Sequence, residues 1–119
     1  MNENTTLLTS LTGFATRVNE HERVPRLIKG WNPTVVVEAL DTGAIVSVVV
    51  RDSKVERVVE GAQEDSHSIT VQGDEELLTQ IFEGVTNPAE AVLEGGLAVF
   101  GTAQDQTKLD ALTLVLWGI

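Results

Sequence analysis

The sequence predicts an α+β domain, and two patterns carry that reading. Between Val35 and Glu60 the chain is built of valine-rich segments with the composition of strands. From Ser68 to Gly101 the hydrophobic period changes from that of a strand to that of a helix and back. The second stretch reads as a strand, two capped helices and a further strand, which sets apolar helix faces against an apolar sheet face.

The first element is a helix. Leu7, Leu8, Leu11, Phe14, Ala15 and Val18 recur at three- and four-residue spacings, beginning near Asn4 to Thr6. The chain turns polar from Arg17 to Arg23, after which Pro25 suits the first turn of a short second helix that Gly30 closes. Asn32-Pro33 interrupts it. Val35, Val36, Val37 and Ala39 predict a strand, Asp41-Thr42-Gly43 a turn, and Ile45, Val46, Val48, Val49 and Val50 a central strand. Beyond the turn-compatible Arg51-Asp52-Ser53-Lys54, Val55 to Glu60 mixes valines with charges, as an antiparallel strand with one wetter face does. These three strands form a meander.

An acidic loop from Gly61 to Ser66 leads to Ile69 and Val71, which alternate with Thr70 and Gln72 as a fourth strand. Asp74-Glu75-Glu76 places three carboxylates at the N-terminus of the next helix, where they complement its dipole. Leu77, Leu78, Ile81 and Phe82 share one face of that helix, and Gly84 ends it. Asn87-Pro88-Ala89-Glu90 starts another, with Asn as cap, Pro in the first turn and Glu three residues after the cap. Gly95-Gly96 turns the chain into a short strand, Leu97 to Phe100, closed by Gly101. Leu109, Leu112, Val115 and Leu116 predict a final helix, although Leu112 to Leu116 also alternates as a strand would.

With no repeat, low-complexity tract or linker, residues 1–119 read as a single domain. At 119 residues folding buries about two-thirds of the unfolded chain's surface. The absence of cysteine removes disulfides, thiolate catalysis and thiolate metal sites, and it fits a cytoplasmic setting. The start, Met-Asn-Glu-Asn-Thr-Thr-Leu-Leu, lacks a signal-peptide pattern, and no apolar run approaches the ~20 residues of a membrane span. These features predict a soluble, unprocessed protein with no stable membrane insertion. A net charge of −10 opposes contact with phosphate backbones and anionic lipid surfaces, so nucleic acid is not an expected partner.

Taken in order, the residues from Trp31 to Leu116 resemble the sterol carrier protein 2 (SCP-2) family. The most specific parts are Ile69-Thr70-Val71 followed by Asp74-Glu75-Glu76-Leu77, the Phe82-Glu83-Gly84 helix end, and Asn87-Pro88 through Glu94-Gly95-Gly96-Leu97-Ala98-Val99-Phe100-Gly101. The resemblance implies a five-stranded mixed sheet covered by helices on one face, enclosing a lipid-sized apolar space. It also implies non-enzymatic binding, and by extension carriage, of a fatty acid, sterol or other lipid, without a cofactor. Two departures accompany it. The chain ends Leu116-Trp117-Gly118-Ile119, unlike the Ser-Lys-Leu peroxisomal address of many animal relatives. Those relatives also tend to be basic, whereas this chain is acidic, which argues against membrane-to-membrane transfer.

Phe14, Leu77, Ile81, Phe82, Val99, Leu112 and Leu116 are the expected cavity lining, with Trp117 or Trp31 capping its mouth. The alternative is a core filled by these same side chains, in a module that dimerises or docks on a partner through an apolar edge, the Trp117-Gly118-Ile119 ending included. Catalytic and metal readings are weaker. His21 stands between Glu20 and Glu22, but neighbours one apart on a helix diverge. Asp65 and His67 lack a further local ligand for zinc, and Asp65, Ser66 and His67 supply hydrolase residue types without a nucleophile elbow. Gly95-Gly96 lacks the rest of a phosphate loop. No catalytic residue and no metal ligand is therefore expected.

Overall fold

The computed structural model describes residues 5–63 and 66–117, for Thr5 the backbone alone. Asp65 of the Asp65–His67 pair, the Gly118-Ile119 ending and Asn4 at the expected helix start lie outside the described residues. In chain order the elements are α1 (Thr5–Glu20), α2 (Val24–Leu27), β1 (Thr34–Ala39), β2 (Ile45–Arg51), β3 (Lys54–Glu60), β4 (Ser68–Gly73), α3 (Glu75–Phe82), α4 (Pro88–Leu93), β5 (Ala98–Phe100) and α5 (Ala103–Trp117). The final segment is a helix.

The five strands form one mixed sheet in the order β3-β2-β1-β4-β5. Neighbours pair antiparallel except β1 and β4, which run parallel at its centre. Register fixes which side chains share a face, because alternate residues point to opposite sides. Val46, Val37, Val71 and Val99 are successive partners across β2, β1, β4 and β5, so they form one row. Val48, Val35 and Ile69 form the next. All the helices that meet the sheet meet this valine-bearing face.

Helix α1 buries Leu7, Leu11, Phe14 and Val18, the stripe its spacing dictates, and lies over β2 and β3. Asn19 ties it to the sheet through two hydrogen bonds with Val55, Nδ2 to the carbonyl at 2.9 Å and the Val55 N–H to Oδ1 at 2.8 Å. Helix α3 buries Leu78, Ile81 and Phe82 over β1 and β4. Its start departs from the simple carboxylate cap. Asp74 occupies the cap position without a side-chain bond, and the first-turn N–H of Glu75 instead donates to Asp41 Oδ1 at 2.9 Å. Glu75 is itself buried and accepts from the Leu7 N–H of α1 at 3.2 Å. Helix α4 follows its sequence signature, with Asn87 Oδ1 accepting from the Glu90 N–H at 3.1 Å. At α5, Thr102 and Asp105 make a reciprocal capping box, with bonds of 3.1 and 3.2 Å.

Two glycines are required by close approach. A Cβ on Gly73 would stand 3.0 Å from the Gly96 carbonyl oxygen, where the end of β4 meets the turn into β5. Gly84 has φ +82°, and a Cβ there would collide with the Trp117 ring.

Candidate ligand cavity

The valine row leads directly to a cavity. Val71 and Val99, paired across β4 and β5, line it together with Leu97. Ile81 and Phe82 come from α3 and Phe14 from α1. Pro88, Ala89, Val92 and Leu93 of α4 form one wall, and Gln106, Leu109, Asp110 and Thr113 of α5 the other. The space is about 300 Å³ and partly open to solvent. That is the lower end of the range for small-molecule sites. Leu93 is 87% exposed, so α4 carries apolar surface outward at the rim.

Phe14 and Phe82 meet edge to face with centroids 5.0 Å apart. Together with Leu109 they border both this cavity and a second space on the side of Val35, Val48, Val50 and Val55. The second space is about 10 Å³, scarcely room for one water, and is core. Of the residues expected from sequence, Phe14, Ile81, Phe82 and Val99 come together in the larger cavity, while Leu112 borders the tight inner space. Three others lie elsewhere. Leu77 packs against Gly96, Leu116 is half-buried against the core, and Trp117 covers Gly84 with the Arg17 guanidinium 4.3 Å above its ring centroid.

Helix rotation explains the difference at α5. Leu112 turns to the core, so the cavity receives residues 106, 109, 110 and 113, spaced i, i+3, i+4 and i+7. Three of those four are polar, and a search for apolar stripes passes over them. In α4 the missed wall had a readable signal, since Pro88, Ala89, Val92 and Leu93 follow helical spacing from a strong cap. The polar lining is Gln106, Asp110 and Thr113. The Thr113 hydroxyl donates to the Asp110 carbonyl at 2.9 Å, Gln106 Nε2 donates to the Gly101 carbonyl at 3.4 Å, and burial pushes the Asp110 carboxyl above its ordinary range.

Trp31 is not at the cavity mouth. Its indole N–H donates to Asp105 Oδ1 at 2.9 Å, and His67 Nε2 meets the same oxygen at 2.9 Å. His67 is therefore engaged with the capping carboxylate of α5. Burial pushes the Asp105 carboxyl up, but the bonds from Trp31, His67 and Thr102 and the charge on His67 outweigh it and hold the group below its ordinary value. His21 Nδ1 accepts from the Arg23 N–H at 3.2 Å, a local turn contact. Among the described residues no three His, Asp or Glu side chains converge as a metal site, and no helix is long and apolar enough to cross a membrane.

No family model and no curated protein matches the chain. Solved structures do. The sterol carrier protein domain 2 of Helicoverpa armigera superposes with a TM-score of 0.67 at 18% identity, covering 100% of this chain and 94% of that one. Palmitated SCP2L2 from Aedes aegypti gives 0.60 at 17% identity, with 92% of each chain covered. The stereoselective inverting sec-alkylsulfatase Pisa1 from Pseudomonas sp. gives 0.65 at 17% identity over 87% of this chain, which spans 15% of that protein's length. The chain thus has the α+β sterol carrier protein 2 fold, with its five-stranded mixed sheet.

Proposed function

We propose that this domain binds the apolar part of a lipid or other amphipathic molecule, noncovalently and without catalysis, in the cavity between α4, α5 and the β4–β5 edge of the sheet. The observation that carries the proposal is a space of about 300 Å³ whose lining is apolar on nearly every side and which opens beside exposed Val92 and Leu93. Burial of an alkyl chain there contributes ~0.8 kcal/mol for each methylene removed from water. The fold supports the reading, since one structure that shares it is that of a palmitated protein. A cytoplasmic setting, suggested by the lack of cysteine, belongs to the same proposal.

Native mass spectrometry of the purified protein tests for a copurifying ligand, and uptake of the neutral fluorophore N-phenylnaphthylamine tests for an accessible cavity. Val99→Phe places a ring in the space from the β5 side and should abolish uptake while stability changes by less than about 1.5 kcal/mol. A ligand-free protein that takes up no probe would sink the proposal. If the same spectra showed a tight dimer, they would favour the exposed apolar residues of α4 and α5 as an assembly surface.

A further inference from the structure

The charge around the cavity is one-sided. Among the described residues Asp110 is the only ionisable one in its lining, which holds no Lys, Arg or His. Across residues 58–119 the sequence has a single Lys or Arg, Lys108, and its ammonium donates to the Leu27 carbonyl at 2.7 Å, while His67 is engaged with Asp105. Arg17, the basic residue of α1, stacks over Trp117. Among the described residues, no Lys, Arg or His side chain lines the cavity to receive an anionic head group.

The charged group at the rim, the exposed carboxylate of Asp110, is an acceptor. Asp110 and Gln106 stand one turn apart on α5, and Gln106 donates one amide N–H to the Gly101 carbonyl at 3.4 Å. An ammonium head finds a carboxylate there. A carboxylate or phosphate head offers only acceptors and meets a like charge. We propose that the cavity selects amphiphiles with a cationic, amine-type head over anionic ones, with Asp110 as the counter-ion.

The inference rests on the proposed cavity function, and one experiment separates the two. Dodecylamine, dodecanol and dodecanoate have similar alkyl chains and differ in head charge at neutral pH. Each is used to displace N-phenylnaphthylamine from the wild type, Asp110→Asn and Asp110→Lys. The wild type should bind the amine about tenfold more tightly than the carboxylate, a difference that combines attraction with repulsion at a solvent-accessible rim and narrows with added salt. Asp110→Asn should bring the two within about threefold, and Asp110→Lys should reverse their order, with dodecanol nearly unchanged throughout. Equal binding of amine and carboxylate by the wild type, or a preference that survives Asp110→Asn, overturns the head-group inference and leaves the cavity standing. Failure of the probe and all three amphiphiles to bind overturns both.

Discussion

The indole N–H of Trp31 donates to the carboxylate of Asp105 at 2.9 Å, joining the segment before β1 to the first turn of α5 across 74 positions of sequence. His67, at the entry to β4, meets the same oxygen, and the Thr102 N–H bonds to the other. One buried carboxylate therefore secures a helix start, a strand entry and the chain before the sheet.

This arrangement has a definite pH dependence. The folded protein holds Asp105 below its ordinary value of 3.8, so its contribution is fully present above that value and is lost as pH falls through the folded one. Asp105→Asn should cost about 1–3 kcal/mol at neutral pH and make the acid side of the stability curve shallower. Trp31→Phe removes one bond and should cost about 1 kcal/mol. Urea unfolding from neutral pH down to about pH 2 measures both, and an unchanged acid limb in Asp105→Asn would exclude the role.

Glu75 links two helix starts. Its carboxylate accepts from the Leu7 N–H of α1, while its own N–H donates to Asp41. Glu75→Ala should cost about 1–2 kcal/mol, and Glu75→Gln, which keeps an acceptor without the charge, should recover part of it. Amide exchange locates the effect, with the Leu7 N–H losing protection ahead of the sheet if the contact matters.

Gly84→Ala should destabilise by about 2 kcal/mol or more, combining a left-handed backbone with a clash against Trp117. Trp117→Ala removes the clash but keeps the backbone strain, so the double mutant should cost less than the sum of the singles. Additive losses in thermal denaturation would show that the ring does not press on this glycine.

Asp52 and Ser53 form a two-residue hairpin turn with φ of 54° and 65°. Both are left-handed, which costs most residues roughly 1–2 kcal/mol each and glycine nearly nothing. Asn32 helps hold the turn by accepting the Asp52 N–H at 3.2 Å. Ser53→Gly should raise stability by up to about 1 kcal/mol, net of the added freedom of the unfolded chain, and no gain would mean the turn is not strained.

The elements were legible in the sequence where local chemistry decides them. Asn87-Pro88, the valine runs and the Leu7-Leu11-Phe14-Val18 stripe each specify a segment without help from distant residues. The final helix was ambiguous because Leu112 to Leu116 satisfies both periods, and its capping box, Thr102 with Asp105, was the overlooked signal. The site was less legible. A core position and a cavity wall share one periodicity, so Leu112 and Leu109 cannot be assigned from spacing, and the polar Gln106-Asp110-Thr113 side escapes an apolar search. Bonds such as Trp31 to Asp105 depend on tertiary placement that no local pattern encodes.

The parallel pairing of β1 with β4 has a kinetic consequence. Thr34 aligns with Ser68, so the centre of the sheet forms only when a long intervening stretch has closed, and that stretch includes the β2–β3 hairpin. Local hairpins can form early, whereas a non-local pair must first overcome loop-closure entropy. The β4–β5 edge and the helices that wall the cavity dock onto that late centre. The cavity is thus among the last parts of the molecule to be completed, and a nascent chain has no such space until the sheet has closed.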